Sequence, residues 1–390
     1  MKIGILTLQL GKNYGGVLQA FALQTVLERM GHQVEVMRWK QAEFKGFPLY
    51  KAPFVYAKRL LNGKEIFREY REQRENKIVY QNLQESVNHL IHYTKRTIDN
   101  RKSLIDYCNK ARFDVLIVGS DQVWRKSYGD TSFCNKFLPQ KSFPNLKTFY
   151  LDFVEDLNTR PRCISYAASL GVDYAEYNRK EIETLGSFLR VFDMVSVREE
   201  SGISLIRDVY KWRDDVQQVL DPTLLLTKED YIRLLNIPST RTEPYLFYYV
   251  LDDSEQKEEL LSNLSSQLSL PVKSIIPYSK EGIVEDRVLP SVEDWIASFA
   301  NANFVLTDSF HGMVFSILFN KPFYVIGNSK RGMSRFKSLL SLFNLEDRLI
   351  RPASIISNNK LLMEWSNIAT QLKDQYSKSI VFLSEPSCNI

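Results

Sequence analysis

A short apolar run, a glycine-bearing turn and an amphipathic helix follow one another at the start of the chain, and this order restricts the folds open to it. Residues 3–8 are rich in β-forming side chains, residues 17–30 carry apolar residues at helical spacing, and Gly31 stands where a helix would end. Residues 33–38 again have the composition of a strand. This order predicts a βαβ unit, and such units build parallel sheets covered by helices.

The same alternation continues through the rest of the chain. Further strand-like runs lie at 114–118, 163–167 and 194–197, and an apolar run at 219–226 closes the first half. A polar, proline-bearing stretch follows at 237–244. Strand-like and helical segments then alternate again, with strands predicted at 245–251, 272–276, 304–307 and 323–326 and helices at 254–268, 291–300, 312–319 and 335–343.

We therefore predict an α/β protein with two Rossmann-like, doubly wound domains that face a cleft. The first domain spans 1–236 and includes a basic helical insertion at about 45–112, and the second spans 245–355. A helical tail at 356–390 could pack back on the first domain. Ligands of open α/β sheets bind at the carboxyl ends of the strands, so residues that directly follow strands are the candidates for function.

The composition excludes several classes of protein. A chain of 390 residues with 44% hydrophobic and 25% charged residues fits two globular domains. No segment has the ~18 consecutive apolar residues of a membrane span, and the N-terminal apolar run predicts a buried strand rather than a signal peptide. The four cysteines are scattered, without metal-site spacing, which indicates a reduced, cytoplasmic protein.

The positive charge of the chain is concentrated in one region. The net charge is +5, whereas residues 45–112 alone carry 15 Lys and Arg against 7 Asp and Glu. The segment at 47–61, FPLYKAPFVYAKRLL, mixes aromatic and basic residues and could lie on the anionic inner face of a membrane. A helix packed on the first domain with snorkelling cations is the alternative. The mixed acidic residues of FREYREQREN indicate a solvated helix and argue against nucleic acid.

Two polar motifs follow strands of the first half. Asn13-Tyr14-Gly15-Gly16 opens a helix, where backbone N–H groups can meet an anion or a sugar hydroxyl; a tight turn without a ligand is the alternative. The run 119–124, which contains Ser120, Asp121, Gln122 and Trp124, combines carboxylate, amide and aromatic groups suited to a saccharide. A helix cap with Trp124 in the core is the alternative for that motif.

An arginine follows another strand of the first half. Arg198 in Ser-Val-Arg-Glu could form a fork to a carboxylate or phosphate. The alternative is an ion pair with Glu199, Glu200 or Asp221, and the residues alone do not separate the two.

The most specific signal lies in Thr-Asp-Ser-Phe-His-Gly, at a strand-to-helix turn of the second half. Of the four histidines in the chain, His311 alone stands between polar and glycine residues at such a turn. Its ordinary pKa lies near neutrality, so it can give or take a proton, although a structural histidine is the alternative. The next turn carries Lys330, Arg331, Ser334 and Arg335 beside a helix start, which favours an anion site over a solvated loop.

Together these motifs resemble the polysaccharide pyruvyl transferase family. The matching segments run in the order of that family from residue 2 to about residue 341, and they are KIGILT and NYGGVLQAFALQ, FDVLIVGSDQVW, ISYAASLG, VSVREESG, VLDPTLLL, and FVLTDSFHGMVFSILFNKPF followed by SRFKSLL. The resemblance implies two domains in the GT-B arrangement of glycosyltransferases. It also implies phosphoenolpyruvate as the donor and a pyruvate ketal on a cell-surface saccharide as the product.

The resemblance carries over to individual residues. His311 matches the family's histidine near the donor, and Arg198 matches an arginine of donor binding or catalysis. Ser309 stands where well-studied members have an arginine that contacts the donor, so Lys330, Arg331 or Arg335 would have to supply the cation. We place the donor on the second domain with Ser309 and Ser334, and the acceptor on the first domain with the motifs at 13–16 and 119–124.

These residues lead to an expected mechanism and to its alternatives. Protonated His311 would act as general acid on the methylene carbon of phosphoenolpyruvate, and Asp121 or Asp308 would accept the proton of a sugar hydroxyl. No metal ligand set is visible in the sequence, so we expect a metal-independent reaction without a further cofactor. A glycosyltransferase that uses a nucleotide sugar and a non-catalytic saccharide-binding protein remain as alternatives.

Overall fold

A computed structural model of the protein describes residues 1–41, 51–62, 65–128, 143–238, 243–276, 284–327, 332–354, 356, 361 and 363–388. The first domain contains a six-stranded parallel sheet in the order β2-β1-β3-β4-β5-β6. Its strands are β1 (Lys2–Leu6), β2 (Gln33–Val36), β3 (Val115–Val118), β4 (Arg162–Ala168), β5 (Met194–Val197) and β6 (Gln217–Gln218).

Helices cover both faces of this sheet. They are α1 (Tyr14–Arg29), α2 (Ala52–Leu61), α3 (Arg68–Val79), α4 (Gln81–Leu90), α5 (Arg101–Ala111), α6 (Arg179–Leu189), α7 (Glu200–Ser204) and α8 (Lys228–Leu234). The basic insertion predicted from the sequence contains α2 to α5, between β2 and β3.

The second domain contains a five-stranded parallel sheet in the order β11-β10-β9-β7-β8. Its strands are β7 (Leu246–Tyr249), β8 (Val272–Ser274), β9 (Phe304–Thr307), β10 (Phe323–Ile326) and β11 (Leu349–Ile350). Its helices are α9 (Glu255–Leu268), α10 (Val292–Asn301), α11 (Phe310–Leu318) and α12 (Ser334–Leu342), and α13 (Ser366–Cys388) follows.

Both sheets have the same winding. Counted within each domain, the first five strands run in the order 2-1-3-4-5, which reverses direction between β1 and β3 in one sheet and between β7 and β9 in the other. Ligands of doubly wound sheets bind at such switch points. The prediction of two Rossmann-like domains is confirmed.

Two elements differ from the prediction. Helix α1 begins at Tyr14, three residues before the expected start, because Asn13 caps it and its Oδ1 accepts a hydrogen bond of 3.0 Å from the Gly15 N–H. The two glycines therefore lie in the first turn of the helix and not in the loop before it. In the run 219–226, a 3₁₀ turn at Pro222–Leu225 follows the two-residue strand β6.

The two domains share one apolar core. Helix α1 of the first domain and helices α10 and α11 of the second lie in the same cluster of buried side chains. Tyr14 stacks on Trp295 at 5.2 Å between ring centroids, and its hydroxyl donates to the Pro290 carbonyl at 2.6 Å. Helix α13 contacts the first domain, where Ser379 Oγ accepts a hydrogen bond of 3.0 Å from the Leu220 N–H. These contacts hold the carboxyl edges of the two sheets against each other.

Candidate active site

A cavity of about 260 Å³ lies between the domains at the carboxyl ends of β1, β3, β7 and β9, that is, at both switch points. Its walls are Thr7, Leu8, Gln9, Leu10, Asn13, Gly16, Gln19, Asp121, Gln122, Leu251, Asp308, Ser309, Phe310, His311 and Arg335. Residues from both halves of the sequence therefore meet at one site.

Seven of the predicted site residues line this cavity, and six others lie behind its wall. The lining residues are Asn13, Gly16, Asp121, Gln122, Ser309, His311 and Arg335. The residues that are not part of the lining are Tyr14, Gly15, Ser120, Trp124, Arg198 and Ser334. Lys330 and Arg331 lie outside the described residues.

His311 is held against the start of α1. Its side chain is buried in the first turn of α11, and a Cβ atom added to Gly15 would lie 1.9 Å from the His311 Nδ1. A Cβ atom added to Gly16, one residue later, would meet no atom closer than 3.6 Å. Gly15 is thus required for the close approach of the imidazole, whereas Gly16 is not.

Asp221 lies beside the Nε2 of His311, whereas Gly15 lies beside its Nδ1. The Asp221 Oδ2 is 3.7 Å from the His311 Nε2 and 2.5 Å from the Arg198 Nη1, while the Asp221 Oδ1 accepts hydrogen bonds from Thr223. Burial alone would raise the pKa of Asp221, but the charge of Arg198 and the nearby imidazole hold that pKa well below its usual value. Asp221 is therefore a carboxylate at neutral pH that pairs with Arg198 and lies near the His311 imidazole, beyond hydrogen-bond distance.

Arg198 lies directly behind the cavity wall. Its guanidinium is 4.6 Å from the centre of the Phe310 ring, and Arg335 lies 5.3 Å from the same ring. Among the described residues, Arg198 Nε and Nη2 have no hydrogen-bond partner, although Glu199 Oε2 and Asp121 Oδ1 each lie 3.8 Å away. The ion pair expected as the alternative for Arg198 is present, with Asp221, and it leaves two guanidinium nitrogens for other partners.

The loop after β3 presents two polar side chains to the cavity. Asp121 has a positive φ of 70°, and its Oδ1 accepts a hydrogen bond of 2.9 Å from the Gln122 N–H. The Gln122 Oε1 accepts a hydrogen bond of 2.8 Å from the Arg125 Nη1. In contrast, Trp124 is fully buried and donates its indole N–H to the Phe149 carbonyl. The core position expected as the alternative for Trp124 is the one observed.

Gln19 is a lining residue that the sequence did not reveal. Its Nε2 donates to the Thr7 Oγ1 at 2.9 Å and to the Gly16 carbonyl at 2.8 Å, and its Oε1 accepts from the Ser120 N–H at 2.9 Å. This buried amide joins the loops after β1 and β3 to α1. Its only sequence signal is a polar residue within an apolar helix, which did not distinguish it.

Asp308 has a structural role in the second domain. Its carboxylate accepts hydrogen bonds from the Leu251 N–H at 2.7 Å and the Asp252 N–H at 3.2 Å, and it pairs with Lys257 at 2.8 Å. These partners occupy both oxygens and join the ends of β7 and β9. Of the two carboxylates considered as a base, Asp121 is therefore the better placed.

Ser309 caps α11 and does not supply a cation. Its Oγ accepts a hydrogen bond of 3.3 Å from the Gly312 N–H. Within the ranges that the structure describes, Arg335 at the start of α12 is the arginine that lines the cavity. Its side chain is buried, and its guanidinium lies 5.3 Å from the centre of the Phe310 ring.

The described residues contain no group of three or more His, Cys, Asp or Glu side chains that could hold a metal ion. Across the same residues, every helix is too short or too polar to span a membrane.

The comparison with known proteins decides the family. The family model of polysaccharide pyruvyl transferase matches residues 13–330. The chain belongs to the polysaccharide pyruvyl transferase family. The resemblance inferred from the motifs is confirmed, and the protein is a transferase. The matched region contains the turn with His311, Arg198 and the motifs at 13–16 and 119–124. No curated protein matches the chain in sequence.

Two solved structures show a similar course of the chain at low sequence identity. UDP-GlcNAc 2-epimerase of Methanocaldococcus jannaschii, in complex with UDP-GlcNAc and UDP, is 10% identical with a TM-score of 0.47, over 98% of this chain and 99% of its own. MurG of Acinetobacter baumannii is 11% identical with a TM-score of 0.43, over 97% of this chain and 94% of its own. Similarity at this level does not identify a ligand for the pyruvyl transferase.

Proposed function

We propose that this pyruvyl transferase moves a pyruvyl group from phosphoenolpyruvate to hydroxyl groups of a saccharide and forms a pyruvate ketal. The observation that carries the proposal is the placement of His311 in an interdomain cavity with Asp221 beside it and Arg335 in the same wall. An acid group near a cation is what an enol phosphate requires when it reacts as an electrophile.

The donor has a phosphate and a carboxylate, and the cavity offers partners for both. Arg335 lines the wall, and behind it the Nε and Nη2 of Arg198 have no hydrogen-bond partner among the described residues, with Glu199 and Asp121 each 3.8 Å away. A guanidinium binds such anions through paired N–H groups. The starts of α1 and α11 at the cavity add the favourable end of two helix dipoles. We assign donor binding to Arg335, with Arg198 supporting it.

The reaction begins with a proton transfer. His311, as the imidazolium, donates its proton to the methylene carbon of phosphoenolpyruvate, which turns the neighbouring carbon into an oxocarbenium-like electrophile. Asp221 stabilises the charged ring. One saccharide hydroxyl then attacks the electrophilic carbon while its proton passes to Asp121, which lies in the same cavity.

Ketal formation follows from the loss of phosphate. The bond between the electrophilic carbon and the phosphate oxygen breaks, and a second hydroxyl of the saccharide attacks the same carbon. Of the two hydroxyl protons, one restores the imidazolium and the other leaves with phosphate. The products are the ketal and inorganic phosphate, so the cycle needs no redox partner.

Binding of the donor gives a direct test. A ligand that binds only the folded state raises the melting temperature. We expect phosphoenolpyruvate to raise the melting temperature of the protein, whereas UDP and GDP leave it unchanged. Stabilisation by a nucleoside diphosphate, without an effect of phosphoenolpyruvate, would contradict the proposal and favour a glycosyltransferase.

We further propose that α2 brings the protein to an anionic membrane surface that bears a lipid-linked acceptor. No residue of α2 is buried, and Phe54, Leu60 and Leu61 are 79%, 68% and 86% exposed. Lys51 and Lys58 accompany them, whereas Arg59 is paired with Glu69, and residues 51–62 contain no carboxylate. The contacts of Tyr56 with Phe67 and of Arg59 with Glu69 pack one side of α2 against the segment that follows it, whereas Phe54, Leu60 and Leu61 remain exposed.

Vesicle binding tests this surface. Each basic residue near an anionic surface contributes about 1 kcal/mol, and a leucine buried in the interface about 1.5–3 kcal/mol. We therefore expect salt-sensitive co-sedimentation with phosphatidylglycerol vesicles, weakened about tenfold in Leu61→Ser. Val381→Ser is the matched control, since Val381 is an exposed aliphatic residue on α13. Equal binding of the two variants would count against the α2 surface.

A further inference from the structure

Two more cavities adjoin the reaction cavity on the first domain. One, of about 440 Å³, lies over the end of β2 and shares Leu8, Gln9 and Leu10 with the reaction cavity. The other, of about 500 Å³, lies between the β1–α1 loop and helices α3 and α4, and it shares Gln41 and two α4 residues with the first. These two cavities, which we call the insertion groove, adjoin the reaction cavity and each other through the lining residues they share.

Amide and charged side chains line the insertion groove, and Arg38 and Lys40 lie in the cavity next to the reaction cavity. Seven amide side chains line the groove, namely Gln9, Gln41, Gln73, Asn76, Gln81, Gln84 and Asn88. Each amide offers both a donor and an acceptor, which matches the hydroxyl groups of a saccharide. Tyr80, which is partly exposed, adds aromatic surface for the C–H face of a sugar ring, whereas the Arg38 guanidinium lies 5.4 Å from the centre of the Tyr93 ring.

The charges of the outer cavity argue against a nucleotide or another strongly charged ligand. Lys12 and Lys77 stand against Glu69, Glu72 and Glu85 in its wall. A phosphate-bearing ligand would meet three carboxylates there, whereas a neutral saccharide would meet mixed donors and acceptors. The amide pair Gln41 and Gln84 is already ordered by a hydrogen bond of 3.2 Å between Nε2 and Oε1.

The size of the reaction cavity shows why such a groove is needed. At about 260 Å³ it lies below the range of about 300–1,000 Å³ that is usual for drug-sized ligands. It must hold the donor together with the reacting sugar ring, so the remaining rings of an acceptor have to lie outside it. The insertion groove is the adjoining space on the acceptor side.

We propose that the insertion groove binds the sugar residues that extend beyond the reacting ring of an oligosaccharide acceptor. This inference rests on the proposed function, because it takes the reacting ring to be bound beside His311. Amides of α3 and α4 bind hydroxyl groups of that chain, and longer acceptors gain affinity from each ring they place in the groove.

Size-fractionated saccharides test this proposal. The probe is the depyruvylated cell-surface polysaccharide of the source organism, hydrolysed and separated into mono-, di-, tetra- and hexasaccharide fractions, with binding measured by calorimetry. In the unmodified protein we expect affinity to rise with chain length. In Gln73→Ala/Asn76→Ala we expect about tenfold weaker binding of the longest fraction and unchanged binding of the monosaccharide, since a lost hydrogen bond costs about 0.5–1.5 kcal/mol.

Controls separate this test from that of the proposed function. Asn263→Ala removes an exposed amide from α9, away from the groove, and should bind every fraction like the unmodified protein. Gln84→Ala provides a second groove variant should the double variant fail to fold. Affinity that does not depend on chain length, or an equal rise in the groove variants, would overturn the proposal. Length-dependent binding without any stabilisation by phosphoenolpyruvate would keep the groove and reject the pyruvyl donor.

Discussion

Replacement of His311 by glutamine is expected to reduce turnover to a small residual rate while acceptor binding stays near its original level. A positioned general acid contributes about 10²–10⁴-fold to a rate, and glutamine cannot donate a proton in its place. Glutamine keeps a similar size and a polar end beside Asp221, so the wall of the cavity should persist. The measurement is kcat with phosphoenolpyruvate as donor, together with the Kd of the saccharide.

A matched control shows whether the loss of kcat is specific to His311 or follows the replacement of any histidine by glutamine. His89 is exposed on α4 and is not part of the reaction cavity, so His89→Gln should retain kcat. Near-normal turnover of His311→Gln would rule out the role of general acid. A loss of saccharide binding as large as the loss of kcat would instead indicate that His311 holds the acceptor.

Gly15→Ala is expected to lower kcat about 10²-fold or more, although Gly15 contacts no substrate. The added Cβ would lie 1.9 Å from the His311 Nδ1, so the imidazole or the first turn of α1 has to move by more than 1 Å. Displacements of this size cost about 10²-fold in rate because the reacting atoms lose their alignment. The overlap should also destabilise the fold by about 1–3 kcal/mol. Steady-state kinetics and thermal unfolding measure the two effects.

Gly16→Ala is the control one residue away. Its Cβ would find ordinary van der Waals space at 3.6 Å, and alanine in a helix is favoured over glycine by about 0.8–1 kcal/mol. This variant should keep its stability, and its kcat should fall far less than that of Gly15→Ala, although Gly16 lines the reaction cavity. In the background of His311→Gln, Gly15→Ala should cause no further loss of kcat, because both changes act on one group. If the losses of kcat in the two single variants add up in the double variant, Gly15 does not act through His311.

The sequence predicted the strands and helices far better than the contacts between the two domains. Apolar runs and glycine stops gave both sheets, and β9 and β10 have the predicted bounds because a buried parallel strand has a continuous apolar signal. The start of α1 was placed too late, since the glycines hid the cap at Asn13. Local patterns could not show that Gly15 faces His311, because that contact joins residues of different domains.

The candidate site was predictable in part for the same reason. Strand ends pointed to Asp121 and His311, and both line the cavity. Asp221 was expected only as an ion-pair partner of Arg198, and its place beside His311 depends on how the domains meet. Trp124 shows the converse case, because an aromatic residue after a strand is equally typical of a core position.

The donor is the centre of this account, and calorimetric titration with phosphoenolpyruvate tests it most directly. The titration compares the unmodified protein, Arg335→Ala and Lys337→Ala, in which the last variant loses an equal charge from an exposed position of the same helix. We predict binding of phosphoenolpyruvate by the unmodified protein and by Lys337→Ala, and its loss in Arg335→Ala. Binding of UDP or GDP in place of phosphoenolpyruvate would contradict the account.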